Sequence, residues 1–195
     1  MQETIEQFEI DKADRDLFGF WVYLMSDLLT FAALFATFAV LRNNVANGPA
    51  GKDIFNLQFV FIETIILLTS SFTTGLAMLA MHAGYVRRTL AWFGITFLLG
   101  VSFLVMEVTE FRHLILKGTG PARSAFLSSF FALVGAHGLH IFIGLLWMLI
   151  ACIIVSRRGL TLKNKSNLAR LSLFWHFLGI VWIFIFTIVY LMGVL

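Results

Sequence analysis

Residues 125–155 read AFLSSFFALVGAHGLHIFIGLLWMLIACIIV. A helix that crosses the hydrocarbon core of a bilayer needs about 20 apolar residues. This run exceeds that length, so it must tilt within the membrane or project beyond it. Four further runs share its character, at about 18–41, 57–81, 90–111 and 171–195. Inside a bilayer no water satisfies the backbone, so each run is expected to be a helix. The pattern implies an all-α, polytopic membrane protein: a five-helix transmembrane bundle forming one membrane domain over 18–195, after a cytoplasmic tail over 1–17. Both prolines, Pro49 and Pro121, fall in connections beside Gly48 and Gly120. Transporters built on broken half-helices often show Gly/Pro-interrupted spans, and that pattern is missing from these five runs.

Composition agrees. Of 195 residues, 59% are hydrophobic and 13% charged, whereas a soluble domain runs at about 45–50% and 25%. This excludes a soluble enzyme, a disordered chain and a disulfide scaffold. Cys152 is the single cysteine and lies inside an apolar run, so no intrachain disulfide exists. Residues 1–17 carry six acids and no apolar h-region, as expected of a retained tail and not of a signal peptide.

The net charge of +3 does not point to nucleic acid, because the basic residues sit in short connections between spans. Nine Lys and Arg fall on the side of the N-terminal tail and the second and fourth connections, and five on the other. The positive-inside rule then places the N-terminus in the cytoplasm and the C-terminus outside.

Ionisable side chains within spans are costly and each is a functional hypothesis. They are Asp27, Glu63, Glu107, Glu110, His137, His140 and His176. Glu107 and Glu110, three apart, share a helix face, as do His137 and His140. Such pairs build di-metal centres in bundles, but those need Glu-x-x-His on two helices plus two further glutamates. Only Glu110-Phe-Arg-His113 has that form here, with His113 expected at the membrane surface. A haem held by two histidines needs matched depth. His137 and His140 are expected in the outer half of span four and His176 near the cytoplasmic start of span five. The favoured reading of the histidines is interhelical hydrogen bonding. Ala132, Ala136, His140 and Gly144 form a small-residue stripe that lets helices approach around one imidazole. On span two, Glu63, Ser70 and Thr74 make a comparable polar stripe. Asp27 lies too deep to reach water easily, so it is neutral, paired or facing a cleft. No obvious chain of partners for it is visible. Nucleophile motifs and phosphate-binding loops are absent, so spacing alone names no reaction.

Four motifs carry a resemblance. SSFFALVGAHGLHIFIG (128–144), FWHFLGIVW (174–182) followed by Tyr190, LGVSF (99–103) with Glu107-x-x-Glu110-Phe111, and MSDLLTF (25–31) resemble subunit III of the haem–copper respiratory oxidases. The likeness covers nearly all of the chain after residue 17. The phrases FGFWVYLMSD (18–27) and GPAGKDIF (48–55) look like the bacterial cytochrome bo-type ubiquinol oxidases, whose subunit III has five helices. Some bacterial cytochrome c oxidases share that number, which leaves the electron donor open.

The resemblance implies a non-redox subunit with no catalytic, cofactor-binding or metal-binding residue of its own. Haem and copper belong to subunit I, against which subunit III packs, with subunits II and IV in the same complex. It implies a V-shaped cleft that holds phospholipids, a bacterial inner-membrane location and support of sustained turnover. Asp27 falls where many relatives have a buried glutamate. Glu110, His137, His140, Trp175 and His176 match family positions, and Glu63 joins them as a buried polar group. Glu107 stands where some relatives have Gln, and Gly179 where they have Asp, so a group beside Gly179 must lack a partner or find another. Two other classes remain: a stand-alone haem or di-metal enzyme using Glu107, Glu110, His137 and His140, and a proton-coupled transporter using Asp27 and Glu63.

Overall fold

A computed structural model describes residues 2–45 and 57–194, with side chains from residue 15 to 193 outside the gap. Pro49, Lys52 and the 48–55 phrase therefore lie outside the described residues, as does the side chain of Lys12. Five long helices follow one another: α1 (Gln2–Leu41), α2 (Leu57–His82), α3 (Val86–Leu116), α4 (Ala125–Arg158) and α5 (Leu162–Ile185). The fifth continues through a π-helical stretch, Phe186–Leu191, into a last turn, α6 (Met192–Val194). All five contain segments long and apolar enough to cross a membrane, and no strand occurs among the described residues.

The ends of the helices follow local chemistry. α2 stops where Gly84 adopts φ 79°, its N–H bonding Met81 O while Tyr85 N–H reaches Ala80 O. α3 stops in the same way at Gly118, φ 75°, with Thr119 N–H on Leu114 O. This paired closure satisfies the last carbonyls and needs a left-handed residue that glycine supplies without strain. The N-terminus of α4 is capped by Ser124, whose hydroxyl accepts Leu127 N–H at 3.2 Å. Thr161 caps α5 by accepting Asn164 N–H at 3.3 Å.

Several boundaries differ from the hydropathy reading, among them the ends of α3 at Leu116 and of α4 at Arg158, beyond 111 and 155. The tail over 2–17 is helical backbone continuous with α1, α3 begins four residues before residue 90, and α5 begins nine before residue 171. The added turns of α5 carry Lys163, Asn164, Lys165, Ser166 and Asn167. They are too polar to register as a span, yet capped and therefore helical.

α2 and α3 form an antiparallel hairpin. α4 packs on α3 and α5, and α5 closes on α2, which makes a four-helix bundle. α1 lies outside it against α4 and α5. Burial agrees: 22% of the crossing window of α1 is buried, against 50% for the last helix.

Candidate functional site

The buried polar groups fall into three layers. One centres on Trp175 of α5. Its indole N–H donates to Ser70 Oγ of α2 at 3.0 Å. Its ring fills the space against Gly100 of α3 and Gly144 of α4, where an added Cβ would come within 2.8 Å and 3.1 Å of it. Four helices thus meet on one side chain. Beside it Thr73 and Thr96 share a hydrogen bond at 2.8 Å, with Thr74 at 3.5 Å from Thr96. Of the polar stripe on α2, Glu63, Ser70 and Thr74 are all fully buried.

A second layer joins α1 to α4. His140 Nδ1 donates to Ala136 O at 2.6 Å, and Nε2 lies 3.2 Å from Asp27 Oδ1. A carbonyl only accepts, so Nδ1 carries its hydrogen, and the Nε2–Oδ1 contact is an ion pair when the imidazole is protonated. Asp27 is therefore paired, which corrects the view that it lacks an obvious partner. Its signal lies 113 residues away in the sequence and is not periodic.

The third layer gathers Glu63, Glu107 and Glu110. Glu63 is within electrostatic reach of both others, and the Tyr190 hydroxyl donates to Glu110 Oε2 at 3.0 Å. Trp182 N–H donates to Thr64 Oγ1 at 3.0 Å. Against that indole, at 5.2 Å between centroids, lies the His137 ring, with Phe103 at 5.9 Å and Phe31 at 6.4 Å. His137 is wholly buried, and neither ring nitrogen has a hydrogen-bond partner. The interhelical bond expected of it is absent, and aromatic packing takes its place. Glu107 leans over α4 so closely that a Cβ on Gly138 would clash with its carboxyl group.

His176 joins none of these layers. It is exposed, with Nδ1 donating to Ser172 O of its own helix at 2.7 Å. Because α5 starts early, His176 is not near the beginning of its helix. Phe174 and Phe177 on either side reach His140 and Phe31. What separates His176 from His137 and His140 is the direction it faces, not the depth mismatch expected from the span boundaries. His113 is exposed in the last turn of α3. Among the described residues no three His, Cys, Asp or Glu are grouped as a metal site requires.

Sequence reasoning left Thr64, Trp182 and Ser71 out of the site and gave Tyr190 no role. Trp175 and Trp182 are seven apart on one helix face, a visible signal. Tyr190 lies buried in the π-helical stretch, which no periodicity announces. Ser71 supplies the partnerless group expected beside Gly179: its hydroxyl is buried without a hydrogen bond and would lie 2.9 Å from a Cβ there.

Comparison with known proteins gives these layers a context. The family model for cytochrome c oxidase subunit III matches residues 11–194. The chain is 58% identical over 185 residues to cytochrome bo(3) ubiquinol oxidase subunit 3 of Pseudomonas aeruginosa, covering 95% of this chain and 88% of that one. It is 42% identical to quinol oxidase subunit 3 of Bacillus subtilis over 96% and 92% of the two chains. With cytochrome c oxidase subunit 3 of Bacillus sp. strain PS3 it shares 44% identity over 90% and 84%. A match of this extent, on a five-span helical chain, makes the protein a member of the cytochrome c oxidase subunit III family.

Proposed function

We propose that this chain is subunit III of a proton-pumping cytochrome bo-type ubiquinol oxidase of a bacterial inner membrane, and that it is a structural and lipid-organising subunit without redox chemistry of its own. The observation that carries the reading is the 58% identity, along 95% of the chain, to a protein named as that subunit. In the complex, quinol oxidation and oxygen reduction to water proceed at haem and copper in subunit I. This chain packs on subunit I, with subunits II and IV as further partners, and holds phospholipids in a cleft. Its internal chemistry suits such a role: the buried polar groups of two layers are engaged in joining one helix to another.

A reduced-minus-oxidised spectrum with haem, iron and copper analysis tests this. It is run on the tagged assembly and again on the chain stripped of its partners. Haem and copper are expected in the assembly and not in the isolated chain. Stoichiometric metal or haem retained by the isolated chain would overturn the reading and make the Glu and His residues ligands.

The 44% identity to a cytochrome c oxidase subunit favours one second reading, a five-helix subunit III of such an enzyme. The same preparation separates the two, since it should oxidise a short-chain quinol and not reduced cytochrome c.

A further inference from the structure

We propose that Glu63, Glu107 and His137 form a buried water-binding, proton-holding site between α2, α3 and α4, closed at one end by the Tyr190–Glu110 hydrogen bond. Among the described residues eight buried side-chain nitrogen or oxygen atoms lack a partner, and five belong to these three residues: both oxygens of Glu63, Oε2 of Glu107 and both nitrogens of His137. They surround one aromatic pair. Trp182 stacks near His137 and bonds Thr64, the neighbour of Glu63. Phe103, one turn before Glu107, meets Trp182 edge-on at 4.7 Å and His137 at 5.9 Å. Glu107 in turn rests on Gly138, the residue after His137.

Polar atoms buried this deeply find partners in nearly every folded protein, and ordered water supplies them where side chains do not. A water molecule both donates and accepts, and makes about three such bonds. A neutral imidazole offers one donor and one acceptor, and a protonated carboxyl group offers the same. Each of the three residues can therefore offer bound water both a donor and an acceptor. A metal is a poorer occupant, because the ligands are spread around an indole and no three converge.

The charge balance explains the protons. The groups that face the site are Glu63 from α2, Glu107 and Glu110 from α3, His137 from α4 and Tyr190 from the π-helical stretch. His140 lies one turn beyond on α4, paired with Asp27 of α1. No Lys or Arg forms an ion pair with any of them among the described residues. Three carboxylates without a cation are not tolerated at membrane depth, so the cluster holds protons. Glu110 is only half-buried, and Glu107 lines a groove of about 340 Å³ between α3 and α4 whose other walls are apolar, among them Leu104, Gly135 and Phe142.

Two measurements on the whole purified complex decide the matter. Brief radiolytic hydroxyl-radical footprinting labels side chains that touch bound water. Trp182 is expected to be oxidised several-fold faster than Trp175, which is as deeply buried and likewise bonded to a hydroxyl but packs against Gly100 and Gly144, with none of the five unpartnered atoms in contact with it. Equal protection of the two would overturn the proposal, and this comparison needs no variant. Infrared spectra in light and heavy water should show a carboxylic-acid carbonyl band that shifts on deuteration. Glu107→Gln and Glu63→Gln should each remove part of it and move the remainder. A band insensitive to heavy water, or unchanged in both variants, would mean that the cluster holds neither shared protons nor water.

Discussion

The His140 imidazole has one nitrogen committed to its own helix and the other to Asp27 of α1. An asparagine there keeps the bond, since its amide donates to Nε2, but changes what the second oxygen, Oδ2, presents. That oxygen is buried and unpartnered. For Asp27→Asn the expectation is normal haem content and near-normal initial turnover, with a shortened active lifetime. Turnover assays followed to inactivation check this, and initial proton pumping lost with lifetime unchanged would contradict it. Gly138 poses a purely steric case. Any Cβ there meets the Glu107 carboxyl, and overpacking of this kind costs about 1–3 kcal/mol. Gly138→Ala should lower the thermal midpoint of the complex, and less so when Glu107→Ala has already cleared the space. An unchanged midpoint for the single variant would show that the contact is not made. Ser71 is a related case: with glycine at 179, its hydroxyl lies against the bare backbone position and bonds nothing.

Among the elements, α5 meets the other three helices of the bundle through Trp175. Trp175→Phe removes the donor to Ser70 and leaves a gap against Gly100 and Gly144. Ser70 still donates to Leu67 O at 2.7 Å, so it loses an acceptor role and is not stranded. The expected cost is about 1–3 kcal/mol, read as a lower melting midpoint of the complex, and a midpoint equal to wild type would remove Trp175 from this role. The existence and order of the helices were legible in the sequence because the bilayer demands long apolar runs, and five were there to count. Their ends were less so. The capped polar turns of α5 have helix-forming chemistry without hydropathy, and the tail before α1 likewise lacks an apolar face to reveal its continuity. The site was partly legible for the same reason. A carboxyl or imidazole stands out in an apolar run, so Asp27, Glu63, Glu107 and His140 were singled out by type alone. Which of them meet depends on helix packing over separations such as the 113 residues between Asp27 and His140, and no local pattern encodes that. Motifs matched along the whole chain supplied the family, which the spacing of polar residues never could.

For the molecule as a whole, an odd number of crossings puts the two ends on opposite sides, and the connections decide which is which. The α2–α3 turn carries Arg87 and Arg88 just beyond it, and the α4–α5 connection is flanked by Arg157, Arg158, Lys163 and Lys165. The α3–α4 connection, with Lys117 and Arg123, is less basic and adjoins the end of the bundle that holds the carboxyl cluster. From the retention of Lys and Arg on the cytoplasmic face we propose that the N-terminus is inside. In that orientation Glu63, Glu107 and Glu110 would fall in the outer half of the membrane, because α2 and α4 would enter from that side and α3 would end there. The consequence is open to direct test in cells. With Cys152→Ser as background, Ala83→Cys and Ala122→Cys each present one exposed thiol, in the α2–α3 and α3–α4 connections respectively. A membrane-impermeant thiol reagent should label Ala122→Cys in intact spheroplasts and Ala83→Cys only in inverted vesicles. The opposite pattern would turn the molecule over, leave the bundle as it is, and move the carboxyl cluster to the cytoplasmic half, where its protons would exchange with the cell interior.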